Sequence, residues 1–239
     1  MKTRFVSVLS CWIISSQLAY AVCSEPQPRL VCAEFSAAKI VVQATLVKVD
    51  NETYKNDPKV IIGHYYTLKT NQIYRGVPEQ TVKVYEGNDS GRASFPWKVG
   101  TRYLLFLFKS HEKPNEQVLT FDGCGNSGPV ARAASALRGI DQMKYLNGNA
   151  LIAGTVSSHD LSTPLPDVEL EARGSGKIYR ASTDRKGRFR VEVPPGDYTL
   201  EPKGPDLSFE VFEMSYEDQH LAMQPGTCAQ VQFLEKARP

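Results

Sequence analysis

Residues 23–49, CSEPQPRLVCAEFSAAKIVVQATLVKV, decide how the first half of the chain is read. Two cysteines, Cys23 and Cys32, precede the longest unbroken apolar strand pattern in the sequence. Ile40 to Val49 is rich in β-branched residues, which pack well on a pleated surface, and is the first predicted strand.

Upstream, Lys2 and Arg4 precede the apolar run Phe5 to Ile14 and the small-x-small triplet Ala19-Tyr20-Ala21, the pattern of a secretory signal peptide over 1–21. The run falls short of the ~20 residues that span a bilayer. Val8-Leu9-Ser10 before Cys11 offers a lipid anchor as the competing reading. The mature chain is expected to be soluble, without a membrane span, and secreted, periplasmic or at the cell surface. Removing Lys2 and Arg4 leaves 26 basic and 26 acidic residues, with 22–148 at +4 and 149–239 at −4. With no net positive charge and no basic-aromatic interleaving, nucleic acid is not expected as a partner.

Without Cys11, four cysteines remain: Cys23, Cys32, Cys124 and Cys228. An even number in an exported chain points to disulfides, and three pairings are open. There is no C-x-x-C and no cysteine close to a histidine, so no zinc site is expected.

After the first strand come Lys59 to Tyr74, with Tyr65, Leu68 and Ile73 as inward candidates, and Thr81 to Tyr85, with Val82 and Val84 inward. RYLLFLF at Arg102 to Phe108 is apolar on both faces and should be buried on both; Gln117 to Phe121 is the fifth strand. The period then changes. Val130, Ala133, Ala134, Leu137 and Ile140 recur at helical spacing behind Pro129, Ser127 is placed to cap, and Asn147-Gly148 stops the helix. Five uneven strands and a helix suit a small closed OB-type barrel, because closure removes exposed edges.

The cysteine placement, Glu34-Phe35 to Ala38 leading into Ile40-Val41-Val42-Gln43-Ala44, and the Leu119 to Cys124 return resemble the netrin-like module, the inhibitory domain of tissue inhibitors of metalloproteinases. Cys124-Gly125-Asn126-Ser127-Gly128-Pro129 and its alanine-rich helix resemble bacterial exported members of that group. The resemblance covers Cys23 to Leu146 and implies a zinc-chelating amine on an N-terminal cysteine. Here the matching residue is Cys23, but cleavage after Ala21 puts Val22 ahead of it, turning that amine into a peptide nitrogen. The family's C-x-C is also missing. The resemblance further implies a Cys23–Cys124 disulfide, with Cys32–Cys124 second.

From Leu151 the pattern becomes short strands and turns: Leu151 to Val156, Val168 to Ala172, Lys177 to Ser182, Arg188 to Val193, Asp197 to Glu201, Ser208 to Phe212 and Ala229 to Leu234. Seven strands at such intervals predict a β-sandwich. In TDRKGRFRVEVPPGDYTL (183–200), Asp184 to Gly187 makes a hairpin turn, Phe189, Val191 and Val193 point inward, and Pro194-Pro195-Gly196 returns Tyr198 to the core. With Gly154-Thr155-Val156 and Pro164 to Val168, this resembles the carboxypeptidase regulatory-like, transthyretin-type domain over Ala150 to Leu234. That resemblance implies an accessory module without catalytic residues.

No catalytic constellation stands out. The loop around Ser127 superficially resembles a serine-protease nucleophile loop but lacks the Asp before the serine and the glycines after it, so a helix cap is expected instead. His64, His111, His159 and His220 are scattered and read as solvated residues. Lys186, Arg188 and Arg190 share a strand face, with Glu210, Glu213, Glu217 and Asp218 as an acidic counterpart. Asn51-Glu52-Thr53 and Asn88-Asp89-Ser90 are glycosylation sequons if the host is eukaryotic. The expectation is an all-β, exported, non-enzymatic protein, with an OB-type barrel and C-terminal helix at 22–148 and a seven-stranded transthyretin-like sandwich at 149–239. It needs no cofactor and binds a protein or cell-surface partner. The alternative is a metalloprotease inhibitor acting through the Cys23 edge.

Overall fold

The structure is a computed structural model that describes residues 29–77, 80–88, 95–114, 116, 118–204, 209–214 and 220–237. The expected leader 1–21, Cys23, Asp89-Ser90, Glu217 and Asp218 lie outside the described residues, as do the side chains of Glu210 and Glu213.

In the first half, strands β1 (Ile40–Tyr54), β2 (Asp57–Arg75), β3 (Thr81–Gly87), β4 (Arg102–Lys109) and β5 (Leu119–Phe121) run in the order β1-β2-β3-β5-β4. Antiparallel pairing of Ile40–Thr45 with Leu107–Arg102 joins β4 back to β1 and closes the barrel. The two-residue β6 (Gly128–Pro129) extends β4 on its outer side.

β4 is buried on both faces, as its composition dictates. Tyr103, Leu105 and Leu107 point into the barrel with Val42, Leu46 and Leu68. Leu104 and Phe106 point outward beneath helix α2 (Ala134–Gln142), whose Ala136 and Ile140 cover them. Two short 3₁₀ segments, Val130–Arg132 and Met143–Leu146, flank α2, and Asn147 and Gly148 take positive φ at the expected stop.

Three expectations need correcting. Tyr66, not Tyr65, is the inward tyrosine of β2; Tyr65 pairs across to Asp50 and Tyr85 on the outer face. Ser127 does not cap the helix; its Oγ accepts from the Phe106 N–H at 3.0 Å and thereby serves the edge of β4. A seven-residue helix, α1 (Val31–Ala37), precedes β1 where no helical period was visible.

The second half contains β7 (Ala150–Ser157), β8 (Glu169–Gly174), β9 (Lys177–Ser182), β10 (Arg188–Val193), β11 (Gly196–Lys203), β12 (Phe209–Met214), β13 (His220–Met223) and β14 (Cys228–Glu235). They form two four-stranded sheets, β10-β7-β14-β12 and β13-β11-β8-β9, that bury one core between them. This sandwich has eight strands rather than seven. The added strand, β13, turns Leu221 and Met223 into the core while His220 and Ala222 stay exposed. Asp184 Oδ1 accepts the Lys186 and Arg188 N–H groups in the turn at Asp184–Gly187, and Gly187 supplies its positive φ. The expected hairpin is corrected: β9 and β10 belong to different sheets, so this turn carries the chain from one sheet to the other. Tyr198 is buried, and its hydroxyl donates to the Pro194 carbonyl at 2.8 Å.

Candidate functional site

Helix α1 lies where the two halves meet. Seven residues cannot hold a helix on propensity alone, so its stability comes from packing. Its Ala33, flanked by Leu30 and Cys32, packs with Leu146 onto the outer face of the first sandwich sheet, against Leu151, Ala153 and Cys228. On its other side, Gly139 of α2 allows close approach, since a Cβ there would stand 2.9 Å from the Val31 side chain.

Cys32 is disulfide-bonded to Cys228 of β14, 196 residues away in sequence and 5.4 Å away between Cα atoms, within the normal range for a bridge. This rules out the Cys32–Cys124 alternative. Cys124 is itself disulfide-bonded. Two hydrogen bonds flank the Cys32 bridge: the Leu30 N–H donates to Gln230 Oε1 at 2.6 Å, and the Cys228 N–H donates to Ser36 Oγ at 2.9 Å.

Behind the bridge lies Glu34, 1% exposed. Its Oε2 accepts two hydrogen bonds from Asn126, one from the N–H and one from Nδ2, each at 2.7 Å. Asn126 Nδ2 also donates to the Arg29 carbonyl, and Arg29 pairs with Asp122 at 3.2 Å. Burial pushes the Glu34 carboxyl above its ordinary value, against the pull of the Asn126 bonds. Oε1 has no hydrogen-bond partner among the described residues, and Gly125 packs so tightly on it that any Cβ would collide. A buried carboxyl group thus clamps α1 to the loop that carries Cys124.

Beside this seam, a cavity of about 500 Å³ opens between α2 and the outer face of β7 and β10, lined by Val31, Gln142, Met143, Ala153, Thr155 and Arg190. Its size suits a small ligand or a few side chains. The arginines at its rim are already compensated: Arg188 makes a 2.7 Å pair with Asp184, and Arg190 a 3.0 Å pair with Glu192.

No family model matches the chain. A 73-residue stretch, 30% of the chain, is 33% identical to halomucin of Haloquadratum walsbyi and covers 1% of that protein. Among solved structures, the chain is similar to the TIE protein of Bacillus anthracis, at 16% identity over 82% of this chain and 31% of the other, with a TM-score of 0.28. It is also similar to GBS52, the minor pilin of Streptococcus agalactiae, at 12% identity over 84% of each chain, with a TM-score of 0.31. The chain spans about a hundredth of halomucin and under a third of the TIE protein.

A second polar cluster covers the outer face of the barrel. Lys113 Nζ meets Glu52 Oε1 at 2.5 Å and stands 4.9 Å from the Tyr85 ring centre; Tyr65 donates to Glu116 at 3.0 Å. Burial and the neighbouring Glu52 push the Tyr85 phenol up to about 12. The cluster latches the loop after β4 onto β2 and β3. Gly63 is required beneath it because a Cβ there would collide with the Tyr85 hydroxyl and stand 2.7 Å from the ring.

The scattered histidines stay apart. His64 Nδ1 lies 3.0 Å from Asn51 Oδ1, His220 lies 3.6 Å from Asp197, and His111 and His159 are exposed. Among the described residues, no group of three or more His, Cys, Asp or Glu could hold a metal, and no helix is long and apolar enough to cross a membrane. The seam residues Glu34 and Asn126 were missed in the sequence. A lone Glu amid apolar residues ahead of a strand was the signal that could have found the first.

Proposed function

We propose that this chain is an exported, non-enzymatic binding or structural protein, built from a netrin-like barrel (22–148) and a carboxypeptidase regulatory-like sandwich (149–239) held as one rigid unit. The observation that carries this reading is the Cys32–Cys228 bond, because it joins the helix leading into the barrel to the last strand of the sandwich. Disulfides persist in oxidising compartments, which supports a setting outside the cytoplasm or at the cell surface. Cys124 pairs with Cys23 in this reading. A fixed angle between modules presents both surfaces to a protein or cell-surface partner without the ordering cost of a flexible linker.

The test is expression with the native leader, followed by fractionation and by assays against ester, peptide and glycoside substrates. The protein should be recovered outside the cytoplasm, oxidised and without turnover. Turnover abolished by a single polar substitution would refute the proposal.

A second reading, metalloprotease inhibition, rests on the netrin-like resemblance at Cys23 and not on the strand order, since one barrel fold hosts many functions. It requires Cys23 to lead the mature chain. Titration of the processed protein against a panel of zinc proteases tests it, and no inhibition at micromolar protein would sink it.

A further inference from the structure

We infer that the end of the barrel where β1 begins binds a saccharide or polyol carrying phosphate or sulfate groups. The inference rests on the proposed function only for its setting outside the cytoplasm. A cavity of about 580 Å³ opens there, and three lysines from three strands line it: Lys39 just before β1, Lys83 within β3 and Lys109 at the end of β4. The fold forces this convergence. Lys109 pairs across to Leu119, Leu119 pairs with Val84 next to Lys83, and the Lys39 N–H donates to the Leu107 carbonyl at 2.9 Å.

All three lysines are exposed, and among the described residues none closes an ion pair. Lys48 and Lys113 on the same barrel do, with Asp50 and Glu52. The Lys83 ammonium sits 4.2 Å from the Tyr65 ring centre, and the only carboxylate in the described wall, Glu116, accepts the Tyr65 hydroxyl at 3.0 Å and forms no ion pair with the three lysines. Three ammoniums around one concavity, against the single carboxylate of the described wall, leave a positive excess that attracts oxyanions, for which lysine is a compact point-charge partner. Ile40, Val82, Val118 and Leu119 supply an apolar floor for a carbon skeleton. Lysines that merely protect sheet ends from aggregation need no shared cavity.

The test is calorimetric titration of the full oxidised chain with three probes: a sulfated disaccharide, a phosphorylated disaccharide and the unmodified disaccharide. One or both charged probes should bind, more weakly as salt is raised, and the neutral one should not; the two charged arms decide which ester is preferred. The variant K39Q/K83Q/K109Q should lose about tenfold or more in affinity, whereas K55Q/K59Q/K69Q, exposed lysines of the long hairpin, should stay within about twofold. Circular dichroism of both variants controls for folding. Absence of binding by either charged probe at millimolar concentration, or equal loss in both variants, would overturn the inference. Neither outcome touches export or the absence of turnover.

Discussion

The barrel and the sandwich deal with sheet edges and faces in opposite ways. The barrel joins its first strand to its fourth and roofs the outer face of β4 with its own helix, so Leu104 and Phe106 are buried without help from the second half. The sandwich leaves Leu151 and Ala153 on the outer face of its first sheet, and they are buried only because α1 and Leu146 of the first half lie on them. The difference teaches that dependence across the seam is unequal: the sandwich borrows part of its cover, and the disulfide keeps that cover in place.

The largest effect should come from Phe106→Ala. Removing this fully buried ring costs about 3–5 kcal/mol, and because every residue in its cluster belongs to the first half the loss should fall on barrel unfolding, read by chemical denaturation with a barrel-specific probe such as Trp97 fluorescence. Next is the double variant Cys32→Ser, Cys228→Ser, expected to lose about 2–5 kcal/mol. Its loss should fall on the sandwich and expose Leu151 and Ala153, visible as faster amide exchange in β7 and β14. Exchange that quickens in β1 and β4 instead would break the comparison.

Gly154→Ala sharpens the sandwich side. A Cβ there would stand 2.8 Å from the Val231 carbonyl carbon and 2.9 Å from the Phe189 ring, so a cost of about 1–3 kcal/mol is expected in thermal melts. Glu34→Gln probes the clamp through pH. Because burial raises the folded carboxyl above 4.5, the native state holds a proton that the unfolded chain releases. Stability is therefore full below about 4.5 and falls as pH rises through the folded value, and the Gln variant should lose that slope. The smallest effect is spectroscopic: the Tyr85 phenol should ionise near pH 12, and Glu52→Gln should bring it down.

Legibility in the sequence followed the range of the interactions. The all-β class, both groups of strands and the two-faced burial of RYLLFLF were readable because side-chain alternation and apolar runs are local signals. The turn at Asp184–Gly187 and the return of Tyr198 were readable from turn chemistry, whereas the passage of that turn from one sheet to the other, in place of the expected hairpin, depends on which strands pair. β1 runs to Tyr54 rather than Val49 because pairing with β2 carries a polar stretch that shows no strand pattern of its own. β13 was missed because four residues, HLAM, offer only one alternation. The choice of Tyr66 over Tyr65 depends on register shifts along β1, which no single strand reveals. The seam was the least legible part: α1 has too few residues to show a period, and the partners Cys32–Cys228 and Glu34–Asn126 are 196 and 92 residues apart.

The most direct test of the central claim is disulfide mapping by mass spectrometry of the oxidised full chain digested without reduction. The account predicts a peptide containing Cys32 linked to one containing Cys228, together with a separate Cys23–Cys124 link. Free thiols at Cys32 and Cys228, or a Cys32–Cys124 link, would contradict it.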